Sequence, residues 1–340
     1  MIAGPGGRRV AVTGIGLVSP VAGSPADLAA ASRPRPRPGP DAQRPWFDPA
    51  RYLGPRGWKY LSPATRYLLA AADSALAGSG LDTAARPAEQ MAVVTGTNFA
   101  ASPVVARFDR VVLTEGSQAL SPAEAPNFSV NIPASELSVR YGMRGFNLTL
   151  TNPMVAGLEA ILTLASAVRA GRVTAGLAGA TEEPPEDDAA SGGACCFVLE
   201  ARDGAPARTE LAGGFSRFLP PGDGKMPSAA LLAAALGDPL RALVAGHRDG
   251  PLPFAVCGAA LPRAAGADSW LPGYCADVCA SAGVSLDPRA YPGHRGEDFT
   301  VSALLQLAGL AADHGHGLVV CASPHGHVAA VYLREGRDEP

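Results

Sequence analysis

The sequence predicts an α/β fold of two pseudo-symmetric β/α halves, with sheets sandwiching buried helices, and three observations predict it. The 340 residues can bury a sizeable core, and with 47% apolar and 17% charged residues and 40 glycines their helices and sheet are expected to pack closely through small side chains. The order helix, strand, loop, strand occurs twice, over residues 157–200 and 299–334. The stretch Leu148–Thr151 is short, β-prone and apolar-alternating, and it runs through a turn at Met154 into a helix over 157–169.

Taken in order, Arg9–Val12 reads as a strand and Thr13–Ser19 as the turn after it. Ser19 stands where a dinucleotide-binding loop wants its third glycine, which counts against a Rossmann site. Arg33-Pro-Arg-Pro-Arg-Pro38 is a polyproline-like connector, either a solvated loop or a dock for an acidic partner. Ser62-Pro63 supplies an N-cap and a first-turn proline for a helix through Leu76, closed by Gly78 or Gly80.

Leu158, Ile161, Leu162, Ala165 and Val168 fall on one face of the helix over 157–169. A strand over 173–180, an acidic loop over 182–188 and a strand over 194–199 follow. The second copy reads as a helix over 301–312, a strand over 317–322, a turn over 323–327 and a strand over 328–333. The halves divide near residue 200, as 1–200 and 201–340 of one compact unit.

A net charge of −3 and the lack of a basic stripe argue against nucleic acid as a partner, and no apolar run of about 18 residues predicts a membrane span. No secretory leader is read at the N-terminus, and the six cysteines show no paired spacing, so they read as small buried hydrophobes in a reducing cytoplasm. His314, His316, His325 and His327 form two His-x-His pairs; a metal site would require them to converge, and otherwise they are loop histidines.

The turn at Met154 carries the functional argument. A residue there faces a helix N-terminus, whose N–H groups would stabilise a thiolate, but a thioether cannot be deprotonated and is a poor acyl acceptor.

Over nearly its whole length the chain resembles the β-ketoacyl synthases of the thiolase-like fold. The resemblance rests on Arg9-Val-Ala-Val-Thr-Gly-Ile-Gly-Leu-Val-Ser19, Phe47-Asp-Pro-Ala-Arg-Tyr-Leu-Gly-Pro-Arg56, Arg144-Gly-Phe-Asn-Leu-Thr149 and Phe197-Val-Leu-Glu200. It implies a five-layered α-β-α-β-α arrangement, with a cysteine at the helix turn to take the acyl chain and two histidines to decarboxylate the malonyl-carrier. Here Met154 stands at the cysteine position, Cys257 at the first histidine and Glu297 at the second, while Pro292 replaces an upstream lysine.

Losing all three groups forfeits the covalent and proton-transfer contributions together. The resemblance therefore narrows to the catalytically silent chain length factors of type II polyketide synthases, which pair with an active ketosynthase and close its tunnel. These commonly carry glutamine where Met154 stands, and the loops near 33–46 and 182–192 are trimmed here.

The same resemblance implies an acyl carrier protein as a second partner and no cofactor or metal. It assigns Phe99, Val104, Val105, Phe108 and Met154 to the tunnel, and Asn147, Leu148, Thr149 and Leu150 to a dimer strand. Each assignment has a plainer rival: a core methionine at 154, a salt-bridged Glu297, an inert Cys257, and a helix stripe in its own core over 97–112. The enzymatic alternative is a malonyl-carrier decarboxylase or acyltransferase on the same fold, using Glu297 or a histidine.

Overall fold

The computed structural model describes residues 8–30, 46–183, 192–202, 208–220, 228–258, 270–292 and 299–336. The connector over 33–38 and most of the acidic loop, 184–188, lie outside these residues, as does Glu297.

The first half contains β1 (Arg9–Val18), α1 (Pro25–Ala30), α2 (Pro49–Leu53), α3 (Pro63–Ser79), β2 (Met91–Gly96), α4 (Ser102–Glu115), α5 (Ile132–Tyr141), β3 (Asn147–Leu150), α6 (Ala156–Arg169), β4 (Ala175–Glu182) and β5 (Gly193–Arg202). The second contains β6 (Thr209–Phe218), α7 (Ala229–Leu232) leading through a π-turn into α8 (Asp238–Val244), β7 (Leu252–Cys257), α9 (Trp270–Ser281), β8 (Leu286–Pro288), α10 (Thr300–His314), β9 (Gly317–Ala322) and β10 (His327–Glu335).

The strands line up as β3-β2-β4-β5-β1-β6-β10-β9-β7-β8. Numbered within each half, the order is 3-2-4-5-1 followed by its mirror image, 1-5-4-2-3. The halves meet along one short antiparallel seam, Ala11 against Glu210 and Val12 against Thr209. Beside it the buried Glu210 carboxylate pairs with Arg9 and accepts from both Nε and Nη2 of Arg334, at 3.2 and 3.1 Å.

Three apolar clusters fill the spaces between layers. One lies under α3 and α5 on the outer face of the first half, and another under α7, α8 and α9 on the outer face of the second. The largest surrounds α6 and α10, which are enclosed between the two halves of the sheet. The five layers expected from the sequence are thus present, and twelve of the fifteen residues of α10 are buried. Such a helix is apolar all round because it has no solvent face.

The expected N-cap holds: Ser62 Oγ accepts from Thr65 N–H at 3.3 Å, and α3 closes at Gly80, whose φ of 69° is left-handed. The expected turn over 13–19 is instead the continuation of β1, with a bulge between Val12 and Gly14. Gly14 and Gly16 serve close packing here. A Cβ on either would lie 2.0 or 2.1 Å from the carbonyl oxygens of Ala75 and Ala71, so these glycines let α3 settle directly on the strand.

Candidate functional site

The candidate site is built where β3 turns into α6. Ala156 N–H donates to Asn152 O at 3.1 Å, forming the first helical bond, and Val155 N–H donates to Pro153 O at 2.8 Å. Met154 then sits at φ 66°, a left-handed conformation that costs a side-chain-bearing residue about 1–2 kcal/mol. The turn is held from outside: Met154 N–H donates to Asn98 Oδ1 at 3.3 Å, and Asn98 Nδ2 donates to Thr151 O at 2.8 Å. Gly157 lets α6 approach α10, since a Cβ there would meet Thr300 O at 2.5 Å.

Met154 is buried in the central apolar cluster, and so is Cys257 at the end of β7. The structure links them through Cys321, which the sequence reading did not single out. Cys321 is the register partner of Cys257 in the parallel β7–β9 pair, and its thiol donates to Met154 O at 3.6 Å. A thioether and two thiols therefore stand together in this layer.

The second elbow lies at the start of α10. Phe299 has φ 48°, and with Met154 it makes the pair of non-glycine residues with positive φ among those described. Between the two elbows stands Glu182, which the sequence placed in an acidic loop; it is instead the last residue of β4 and fully buried. The carboxylate accepts from Asn98 N–H and Phe99 N–H at 2.8 Å each, from Thr97 Oγ1 at 3.2 Å, and from Thr300 Oγ1 at 2.6 Å and its N–H at 3.4 Å. Burial pushes its pKa up to about 7 against the pull of these donors. Its neighbour Glu183 is also pushed up to about 7, by burial, and accepts from Ala64 N–H at the start of α3.

The residues assigned to the tunnel separate. Phe99 is half-buried with its ring centroid 4.5 Å from that of Phe299. Val104 is buried beside a polar cleft of about 160 Å³ lined also by Lys59, Arg66, Arg107 and Glu183. Val105 is exposed on α4, and Phe108 is half-buried with the Arg107 guanidinium 5.8 Å from its ring.

In the outermost strand of this half, Asn147 and Leu148 are exposed, whereas Thr149 and Leu150 are half-buried. Asn147 Nδ2 donates to Ala134 O and Ser138 Oγ, tying β3 to α5. Thr149 Oγ1 lies 3.4 Å from Thr95 Oγ1 on β2.

The four histidines do not converge. His314 and His316 lie at the end of α10, with His314 Nε2 3.1 Å from Asp313 Oδ2 and His316 Nδ1 donating to His314 O at 2.9 Å. His325 lies in the β9–β10 turn and His327 opens β10, against the exposed Phe218. The His316 ring lies 6.3 Å, between centroids, from that of His314 and equally far from that of the buried His247. His247 Nε2 donates to Gly250 O, so Nδ1 accepts from Tyr332 OH. Among the described residues no three His, Cys, Asp or Glu side chains are placed to hold a metal ion, and no helix is long and apolar enough to cross a membrane.

Residues 42–207 match the family model of the β-ketoacyl synthase N-terminal domain. A 3-oxoacyl-[acyl-carrier-protein] synthase 2 of Coxiella burnetii is 27% identical over 189 residues, 52% of this chain and 46% of the relative. A putative polyketide beta-ketoacyl synthase 1 of Streptomyces cyaneus is 30% identical over 198 residues, 52% and 47% of the two. The chain thus spans less than half the length of these curated relatives.

Among solved structures, a type II polyketide synthase acyl-carrier protein in complex with its ketosynthase bound to the hexaketide contains a chain matching at TM-score 0.76 and 19% identity, over 97% of this chain and 99% of that one. The ishigamide ketosynthase/chain length factor matches at TM-score 0.72 and 22% identity, over 97% and 100%. The match to the ketosynthase N-terminal domain thus covers just under half of the chain, and the fold is the thiolase-like fold of these structures.

Proposed function

We propose that this chain is a non-catalytic ketosynthase-like subunit that pairs with an active ketosynthase and shapes the tunnel in which a polyketide grows, so controlling chain length. The observation that carries the reading is the elbow itself. Its backbone keeps the left-handed geometry that presents a nucleophile at a helix N-terminus, while the residue presented is Met154. A thioether there offers shape without a titratable proton. Cys257, at the position of the first family histidine, is fully buried among apolar neighbours and supplies no acid/base pair in its place.

The partner surface in this reading is the outer strand of the first half with the helices beside it. Leu148 on β3 and Val139 on α5, which packs beside it, expose apolar side chains there, with relative exposures of 43% and 79%. Exposure of that order on neighbouring elements is what a subunit interface covers. Phe99, Val104, Val105 and Phe108 are the wall residues of the tunnel, and an acyl carrier protein delivers the chain.

The test is co-expression with type II ketosynthase subunits that retain the cysteine and both histidines. The expected result is a soluble 1:1 complex that makes polyketide, with Phe108→Ala changing product length. A stable lone homodimer, or turnover of malonyl-carrier by the chain alone, would overturn the proposal.

A further inference from the structure

Glu182 joins parts of the molecule that the chain keeps far apart. Its carboxylate takes the backbone N–H groups of Asn98 and Phe99 from the first half and both the hydroxyl and N–H of Thr300 from the second. The residues on either side of these bonds form the Phe99–Phe299 ring pair, and Phe299 holds a strained φ of 48°. Asn98 also carries the hydrogen bond that holds Met154 N–H. Ring pair, strained backbone and elbow therefore share one anchor.

We propose that Glu182 is a positioning residue, latching the Phe99–Phe299 rings shut beside the Met154 turn and so setting access to this chain's own vestigial acyl site. The inference rests on reading Met154 as the remnant of that site. Two backbone bonds to one carboxylate fix the Phe99 backbone, and the bonds from Thr300 fix Phe299 next to it. The carboxylate thus bridges the halves beside the Met154 turn. The chain being extended is excluded from this subunit's own elbow, which leaves the partner's tunnel as its route.

The experiment uses the full chain with Met154→Cys, which places a reporter thiol at the elbow. Alkylation by iodoacetamide is followed by peptide mass spectrometry from about pH 6 to about pH 9, which separates the thiol's ionisation from its limiting rate. With the latch intact the thiol is expected to react slowly. Adding Glu182→Gln or Phe99→Ala is expected to raise the limiting rate about tenfold or more, as for a locally opened site, whereas Phe99→Leu, which keeps the bulk, leaves it low. Combining Glu182→Gln with Phe99→Ala is expected to add nothing to Phe99→Ala alone, because both remove one closure.

An unchanged limiting rate in the Glu182→Gln background, or additive effects in the double variant, would overturn the proposal. So would full reactivity of the Met154→Cys thiol with the latch intact. Should Glu182→Gln fail to fold, Thr300→Val removes the 2.6 Å hydroxyl bond and carries the same expectation. Formation of a heterodimer does not enter this measurement, so failure of the subunit reading and failure of the latch are read separately.

Discussion

Replacing Glu182 with glutamine is expected to flatten the dependence of stability on pH, and the size follows from the site. Burial raises the carboxyl pKa from 4.5 to about 7. The folded state therefore holds this proton between those values while the unfolded chain releases it. Stability from this group is fully present below about pH 4.5 and is lost as pH rises through about 7. At about 1.4 kcal/mol per pH unit the loss is roughly 3 kcal/mol across that window. The glutamine of the variant cannot ionise, and its fixed cost from presenting an amide to five donors is the same at every pH.

The quantity to measure is the stability difference between wild type and Glu182→Gln, by urea unfolding at about pH 4 and about pH 8. It is expected to change by roughly 3 kcal/mol in the variant's favour on going to the higher pH. Every other carboxyl cancels in the difference, including Glu183, which titrates in the same window. Parallel curves, with a change below about 0.5 kcal/mol, would show that the donors around Glu182 hold it ionised throughout and would refute the argument from burial.

Three further outcomes are expected. Glu210→Ala leaves Arg9 and Arg334 without their shared carboxylate at the seam; because Arg334 is half exposed, the cost in urea unfolding is about 2 kcal/mol rather than the larger value of a fully buried pair. Gly16→Ala forces a Cβ to 2.1 Å from Ala71 O and is expected to cost at least about 3 kcal/mol or to abolish soluble expression; near-neutral stability would mean that α3 can lift off β1. Met154→Gly relieves a left-handed backbone worth about 1–2 kcal/mol but gives up about 2–3 kcal/mol of buried thioether, so a net loss near 1 kcal/mol is expected, and a gain in thermal midpoint would reverse that ranking.

The elements that periodicity and capping specify were legible in the sequence. The helix opened by Ser62-Pro63 and the two helix, strand, strand repeats lie where their patterns put them, because caps and buried stripes act within a few residues. What failed was set by distant partners. Gly14 and Gly16 read as a turn because nothing local reveals that a helix from much later in the chain lies against them. Glu182 read as one more acid in an acidic run, since the donors that bury it come from residues 97–99 and 300. Met154 was singled out by the strand-to-helix turn it occupies, whereas Cys257 and the tunnel residues were assigned through resemblance. Cys321, Phe299 and His247 carried no signal short of the folded arrangement.

The recognisable family match ends at residue 207, just before β6 begins, yet the second half repeats the strand order of the first in mirror image. The shared middle layer accounts for how both can hold. Since α6 and α10 pack on each other between the sheet halves, the recognisable half acts as a mould: the other can exchange its residues freely only while it still casts the same shape. Drift in such a chain spares contour before side-chain identity, so inheritance is better traced in the volumes lining that middle layer than in individual residues.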